Sequence, residues 1–153
     1  MDFTLSKYRE LLSGFKACGY EMVTFADYLK GNSGNRFVIL RHDVDLKPQN
    51  SLRTARMEAE MGARGSYYFR AVPESWDEET IKEIARMGHE VGYHYESLTT
   101  CRGNVEAAYQ DFCMNLNELR KLAKVETICM HGSPRSPYDS KDIWNGGGIS
   151  IVT

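Results

Sequence analysis

Two carboxylates one residue apart close the apolar run Phe37-Val-Ile-Leu-Arg-His-Asp-Val-Asp45. Side chains alternate across a strand, so Arg41, Asp43 and Asp45 share one face and His42 and Val44 take the other. Carboxylates this close repel unless a metal ion, an arginine or a shared proton intervenes. Arg41, one strand step deeper, could hold Asp43 ionised. A second strand-like run, Gly88-His-Glu-Val-Gly-Tyr-His-Tyr-Glu-Ser-Leu98, delivers His94, and a third, Thr127-Ile-Cys-Met-His131, delivers His131. Taken alone, His94 reads as a hydrogen-bonded core histidine; beside the aspartates it reads as a metal ligand, and His131 carries the same two readings. Imidazole donors favour zinc, cobalt or nickel over the hard magnesium ion. The chemistry in view is metal-dependent hydrolysis. His42 reads as a packing residue, His89 and Glu90 as structural, and Glu96 as a solvated loop carboxylate.

These groups meet only if their strands are brought together. Leu5, Tyr8, Leu11, Leu12 and Phe15 recur at helical spacing before Gly19, and a short helix is expected over 24–29. Pro48 opens a helix running to about Met61, after the strand Phe37–His42. The run 65–70 is an aromatic-rich strand, and Ser75-Trp-Asp-Glu78 has the pattern of a capping box ahead of a helix. Glu90–Tyr95 is the next strand, and Asn104 caps a long helix with an apolar stripe from Val105 to Leu119. Thr127–His131 is the last strand. The order β-α-β-α-β-α-β implies an α/β fold of parallel strands joined by right-handed crossovers, with each strand buried on both faces. Parallel strands deliver their C-terminal ends to one edge, where Asp43, Asp45, His94 and His131 can converge.

A chain of 153 residues is expected to be one domain, and 42% hydrophobic with 26% charged residues is ordinary for a globular protein. A net charge of -2 gives no reason to expect nucleic acid or an anionic membrane as a partner. No apolar run approaches the length of a membrane span, and the N-terminus does not read as a signal peptide. Cys18, Cys101, Cys113 and Cys129 are scattered, as expected of reduced thiols in a cytoplasmic protein.

Arg41-His-Asp-Val-Asp45 and Gly88-His-Glu-Val-Gly-Tyr-His94 resemble the first two motifs of the NodB-homology polysaccharide deacetylases. The resemblance implies a distorted (β/α) barrel, here its N-terminal four or so βα units. Residues 1–35 would be an N-terminal helical extension and 36–137 the motif-bearing core, with the rest of the barrel missing. It implies Asp43 as general base, Asp45 and His94 as metal ligands, a divalent ion, zinc first, and an N-acetylated carbohydrate or other small amide as substrate. Asp43 would take the proton from metal-bound water. Leu98 stands where the family's second histidine is expected, leaving His131 to complete the ligand set. Arg135 or Arg41 would replace the family's arginine beside the base, and the later motif with its general-acid histidine has no match. A sheet ending here would expose an edge for a second copy or another partner to cover. The alternative implied by these departures is a non-catalytic, truncated domain with residual metal binding. Asp43-Val-Asp45 also resembles the first motif of haloacid-dehalogenase-like phosphatases, but two neighbouring histidines suit that magnesium site poorly.

Overall fold

Short polar side chains set where most of the helices begin, by accepting a backbone N–H that the first turn leaves free. Thr4 caps α1 (Leu5–Ala17), Thr24 caps α2 (Phe25–Leu29), Asp77 caps α4 (Glu78–Arg86) and Asn104 caps α6 (Val105–Leu122). Helix α3 (Pro48–Glu60) starts on its proline, and α5 (Ser97–Thr100) is a single turn. The strands are β1 (Glu21–Val23), β2 (Phe37–Ile39), β3 (Arg41–Val44), β4 (Ser66–Phe69), β5 (Glu90–Tyr95) and β6 (Val125–Met130). A 3₁₀ helix spans Ser140–Trp144. This computed structural model describes residues 4–132 and 136–145.

The fold is α/β with parallel sheets. Strands β1 and β2 pair with each other, and β3-β4-β5-β6 form a second sheet, every pair parallel. One sheet face is apolar: Val44, Tyr67, Phe69, Val91 and Tyr93 pack with Leu52, Ala55, Ile81, Ile84 and Phe112 from the crossover helices. The other face is polar and carries Arg41, Asp43, Tyr68, Glu90, His94, Thr127 and Cys129. Strands β4 and β5 are buried on both faces, as expected, but β3 and β6 open towards solvent.

The polar face is strongly concave. In a flat sheet β3 and β6 would lie about 14 Å apart, three strand spacings, yet just past their ends the short side chains of Asp45 and His131 bring Oδ1 and Nδ1 within 3.2 Å. Gly92 leaves the concave face room for an aromatic ring. It is paired with Tyr68 across the ladder, and a Cβ there would sit 2.3 Å from Tyr68 Cε1 and 3.1 Å from the Thr127 carbonyl oxygen. Without a side chain at 92, the Tyr68 ring crosses β5 and its hydroxyl meets Thr127 Oγ1 at 2.9 Å. Below that ring, Glu90 closes the bottom of the concavity. Ser66 Oγ donates to it at 2.6 Å, Ala26 N at the head of α2 donates at 3.0 Å, and Thr127 Oγ1 donates as well.

Behind β3 lies a fully buried carboxylate, Glu58. Tyr8 from α1 donates to it at 2.5 Å and Tyr67 from β4 at 2.7 Å, and His42 Nε2 is 2.7 Å away. His42 also stacks on Tyr67 with ring centroids 4.4 Å apart. Burial alone would raise the carboxyl, but the hydrogen bonds from His42, Tyr8 and Tyr67 prevail and hold it below its ordinary value. Burial, with the carboxylate beside them, pushes both phenols far up, so they stay donors. His89 completes the surroundings. Gly65 N donates to its Nδ1 at 3.0 Å, so Nε2 carries the proton and donates to Ala55 O at 2.9 Å.

Several local expectations are corrected. The strand expected over 37–42 breaks at Leu40, its halves serving different sheets. Residues 1–35 contain the strand β1 as well as two helices, and α1 buries Leu12 in a small core with Met22, Leu40 and Ala63. Ser75 is not the cap of α4: it is buried, accepts from Arg70 N and donates to Val44 O, which leaves capping to Asp77.

Two outcomes follow from this packing. Gly92→Ala should destabilise the fold by about 1–3 kcal/mol through overpacking, lowering the thermal midpoint by roughly 3–10 °C; calorimetry checks this. Because the folded-state carboxyl of Glu58 lies below its ordinary 4.5, its stabilisation is complete above that pH and is lost as pH falls further. Denaturant titrations between pH 6 and about 3 should show a shallower decline for Glu58→Gln than for the native chain.

Candidate metal centre

The candidate ligands sit at the C-terminal ends of three strands. Asp45 follows β3, His94 lies in β5 and His131 follows β6. His131 Nδ1 is 3.1 Å from His94 Nε2 and 3.2 Å from Asp45 Oδ1, while His94 Nε2 and Asp45 Oδ1 are 3.7 Å apart. A tetrahedral ion bound at about 2.0–2.1 Å separates its donor atoms by roughly 3.3–3.4 Å. The three observed separations bracket that edge.

Two further features fit a cation there. Asp45 Oδ1 is buried with no donor aligned on it among the described residues, close as the two imidazoles are. Such an atom costs about 1–3 kcal/mol if left unsatisfied, more for a charged group. His94 Nδ1 lies 3.1 Å from the Cys129 carbonyl oxygen. A carbonyl only accepts, so Nδ1 carries the proton and the Nε2 lone pair faces the other two ligands, the arrangement typical of a metal-binding imidazole. Burial pulls His94 below its ordinary value despite the nearby carboxylates, which favours the neutral ring a metal requires.

A second group, Asp43, His94 and Cys129, also places its donor atoms within 4.8 Å of one another. It is a poorer cation site because a cation already occupies it. Arg41 grips Asp43 with two bonds, Nε to Oδ1 at 2.9 Å and Nη2 to Oδ2 at 2.7 Å, and Nη2 also reaches Cys129 Sγ. Burial pushes the Cys129 thiol up, keeping it protonated rather than a thiolate ligand. Asp43 is therefore set apart from the ligands and remains close to them, its Oδ2 3.8 Å from His94 Nε2.

The structure thus brings Asp45, His94 and His131 together and puts Asp43 and Arg41 beside them. Leu98 lies elsewhere: it is buried in the apolar core from α5, turned into packing. Arg135 lies outside the described residues. Glu96 is not a solvated loop carboxylate, since Arg70 pairs with it at 2.7 Å and both side chains are largely buried. Tyr67, Tyr68, Tyr93 and Tyr95 are all buried in the fold. Sequence pattern alone does not single out Cys129 or Arg70 as site residues. Cys129 precedes His131 by two residues and so shares its face, and Arg70 directly follows an apolar strand, the pattern that drew attention to the other strand ends.

No family model matches this chain, and no curated protein or solved structure matches it. No helix among the described residues is long and apolar enough to cross a membrane.

Zinc or cobalt at a thousandfold excess over its dissociation constant should stabilise the protein by about 4 kcal/mol. His131→Ala should abolish that gain in a thermal melt, and a native chain indifferent to both ions would remove the site.

Proposed function

We propose that this protein is a metal-dependent hydrolase of carbon–nitrogen bonds in non-peptide amides, releasing acetate from an N-acetylated sugar or polysaccharide. The observation that carries the reading is the convergence of Asp45 Oδ1, His94 Nε2 and His131 Nδ1 beside an Asp43 carboxylate that is not itself a ligand. Three protein donors leave a tetrahedral ion one open position. When bound, a zinc-like ion supplies Lewis acidity, polarising an amide carbonyl and making water a stronger acid.

The remaining chemistry belongs to side chains. Asp43 Oδ2 accepts the proton from the attacking water and holds it for the departing amine. Arg41 aims that carboxylate, because the two parallel bonds fix both oxygens. Both side chains are partly exposed on the concave face, so a bulky substrate can reach them. The sugar as substrate class comes from the resemblance of Arg41–Asp45 and Gly88–His94 to the polysaccharide deacetylases. The curved parallel sheet with helices outside it is compatible with that family's distorted barrel. Four free cysteines fit a reducing compartment, in keeping with a cytoplasmic protein.

One observation favours a second reading, a metal-binding domain without turnover. Arg41 engages both oxygens of Asp43, which leaves fewer of its lone pairs free to take a proton from water. Acetate release from N-acetylated chito-oligosaccharides by zinc- or cobalt-loaded protein separates the two. The hydrolase reading expects turnover that falls by about 10²–10⁴ in Asp43→Asn while metal binding persists. Metal-loaded protein that releases no acetate from any acetylated sugar would leave the second reading standing.

A further inference from the structure

The ladder of β3 ends at the pair Val44↔Phe69, so Asp45 has no strand pairing of its own. A liganding carboxylate one residue past the sheet needs another anchor. Arg70, directly after β4, supplies it: its Nη1 donates to the Asp45 carbonyl oxygen at 3.3 Å. The same guanidinium donates from Nε and Nη2 to Glu96 Oε1, at 2.8 and 2.7 Å. Glu96 directly follows β5, two residues beyond His94. One planar group therefore spans the strand end that presents Asp45 and the strand end that presents His94.

Arg70 is itself held from below. Its backbone N–H donates to Ser75 Oγ at 3.0 Å, and that hydroxyl donates to the Val44 carbonyl oxygen. The next turn is tied in as well, since Lys47 N donates to Glu74 O at 3.1 Å. The Arg70 and Glu96 side chains are only 20% and 15% exposed, so solvent screens the pair weakly. A lysine could keep the charge but not the fork that reaches both partners.

We propose that Arg70, braced by Glu96, is a positioning residue that sets the separation between Asp45 and His94, and with it the affinity and geometry of the metal centre. It touches no candidate ligand atom and acts through the backbone of Asp45. The inference rests on the metal-centre reading above, and the experiment separates the two.

Cobalt(II) titrations followed by visible absorption give affinity and coordination geometry together, and denaturant melts of the metal-free variants give stability. The native chain should bind cobalt with the intense visible band of a tetrahedral site. Arg70→Gln should raise the dissociation constant about 10–100-fold, as loss of an outer-shell partner does, and should shift or weaken the band. Arg70→Lys should recover part of both. If Arg70→Gln does not fold, Glu96→Ala, which removes the brace and leaves the arginine, should give a loss in the same range. Loss of global stability alone would not move the cobalt band. An Arg70→Gln or Glu96→Ala variant with native affinity and an unchanged band would overturn the positioning role while leaving the metal centre intact. A native chain that takes up no cobalt would overturn the metal centre and the positioning role with it.

Discussion

The candidate site exists only because the sheet bends. Asp45 and His131 belong to the ends of strands that a flat sheet would hold about 14 Å apart, yet their donor atoms are 3.2 Å apart. At Gly92 an absent side chain leaves room for the Tyr68 ring to lie across the strand, and the register between β5 and β6 shifts there. Above that ring sit Arg41 and Asp43, then the three candidate ligands; below it sits Glu90 with Ser66 and Thr127. The concave face is thus a stack of polar layers rather than an apolar interior, hydrogen-bonded at its base and left with one unpartnered oxygen, Asp45 Oδ1, at its top among the described residues. Such stacking matters because a buried polar group without a partner is expensive, while a connected network is not.

The opposite face carries a comparable constraint. Glu58 places a carboxylate in the packing layer and collects donors from α1 and β4, with His42 of β3 beside it. His42 stands between Arg41 and Asp43 in the chain, so the same strand is held on its convex side by Glu58 and presents catalytic candidates on its concave side. Moving β3 would break bonds on both faces. Leaving a buried carboxylate short of a hydrogen-bond donor costs about 1–3 kcal/mol or more, which favours keeping the strand in register.

Much of this was legible from residue order. Four of the strands announced themselves as apolar or aromatic runs, and their alternating order with helices implied parallel pairing. The assignment of Asp43 and Arg41 to one face and His42 to the other follows from alternation alone. What escaped was short or non-local. The three residues of β1 and the four of α5 are too few for a period to show. Glu58 and Glu60 look alike within the helical sequence, but one is buried among tyrosines and the other pairs with Arg9 at the surface. Nothing local distinguishes them. The contact of Arg41 with Cys129 joins residues 88 positions apart, on strands that only the sheet order brings near each other. Ser75 was misassigned because a capping pattern and a buried hydroxyl bridging two strand ends have the same local spelling.

The order in which the chain is made adds a temporal dimension. Asp45 emerges from the ribosome before His94, and His131 only once β6 has been synthesised. Chains emerge at about 5–20 residues per second, so seconds separate the first ligand from the third. Throughout that interval Asp45 and His94 can form at most a two-donor site, too weak to hold an ion firmly. The edge of β5 that later pairs with β6 also stays open, and an uncovered edge is prone to mispairing. Docking of β6 closes that edge and supplies the third donor in one event. Firm capture of a divalent ion would then coincide with the docking of β6, making the metallated form a molecular certificate that this part of the chain has finished folding.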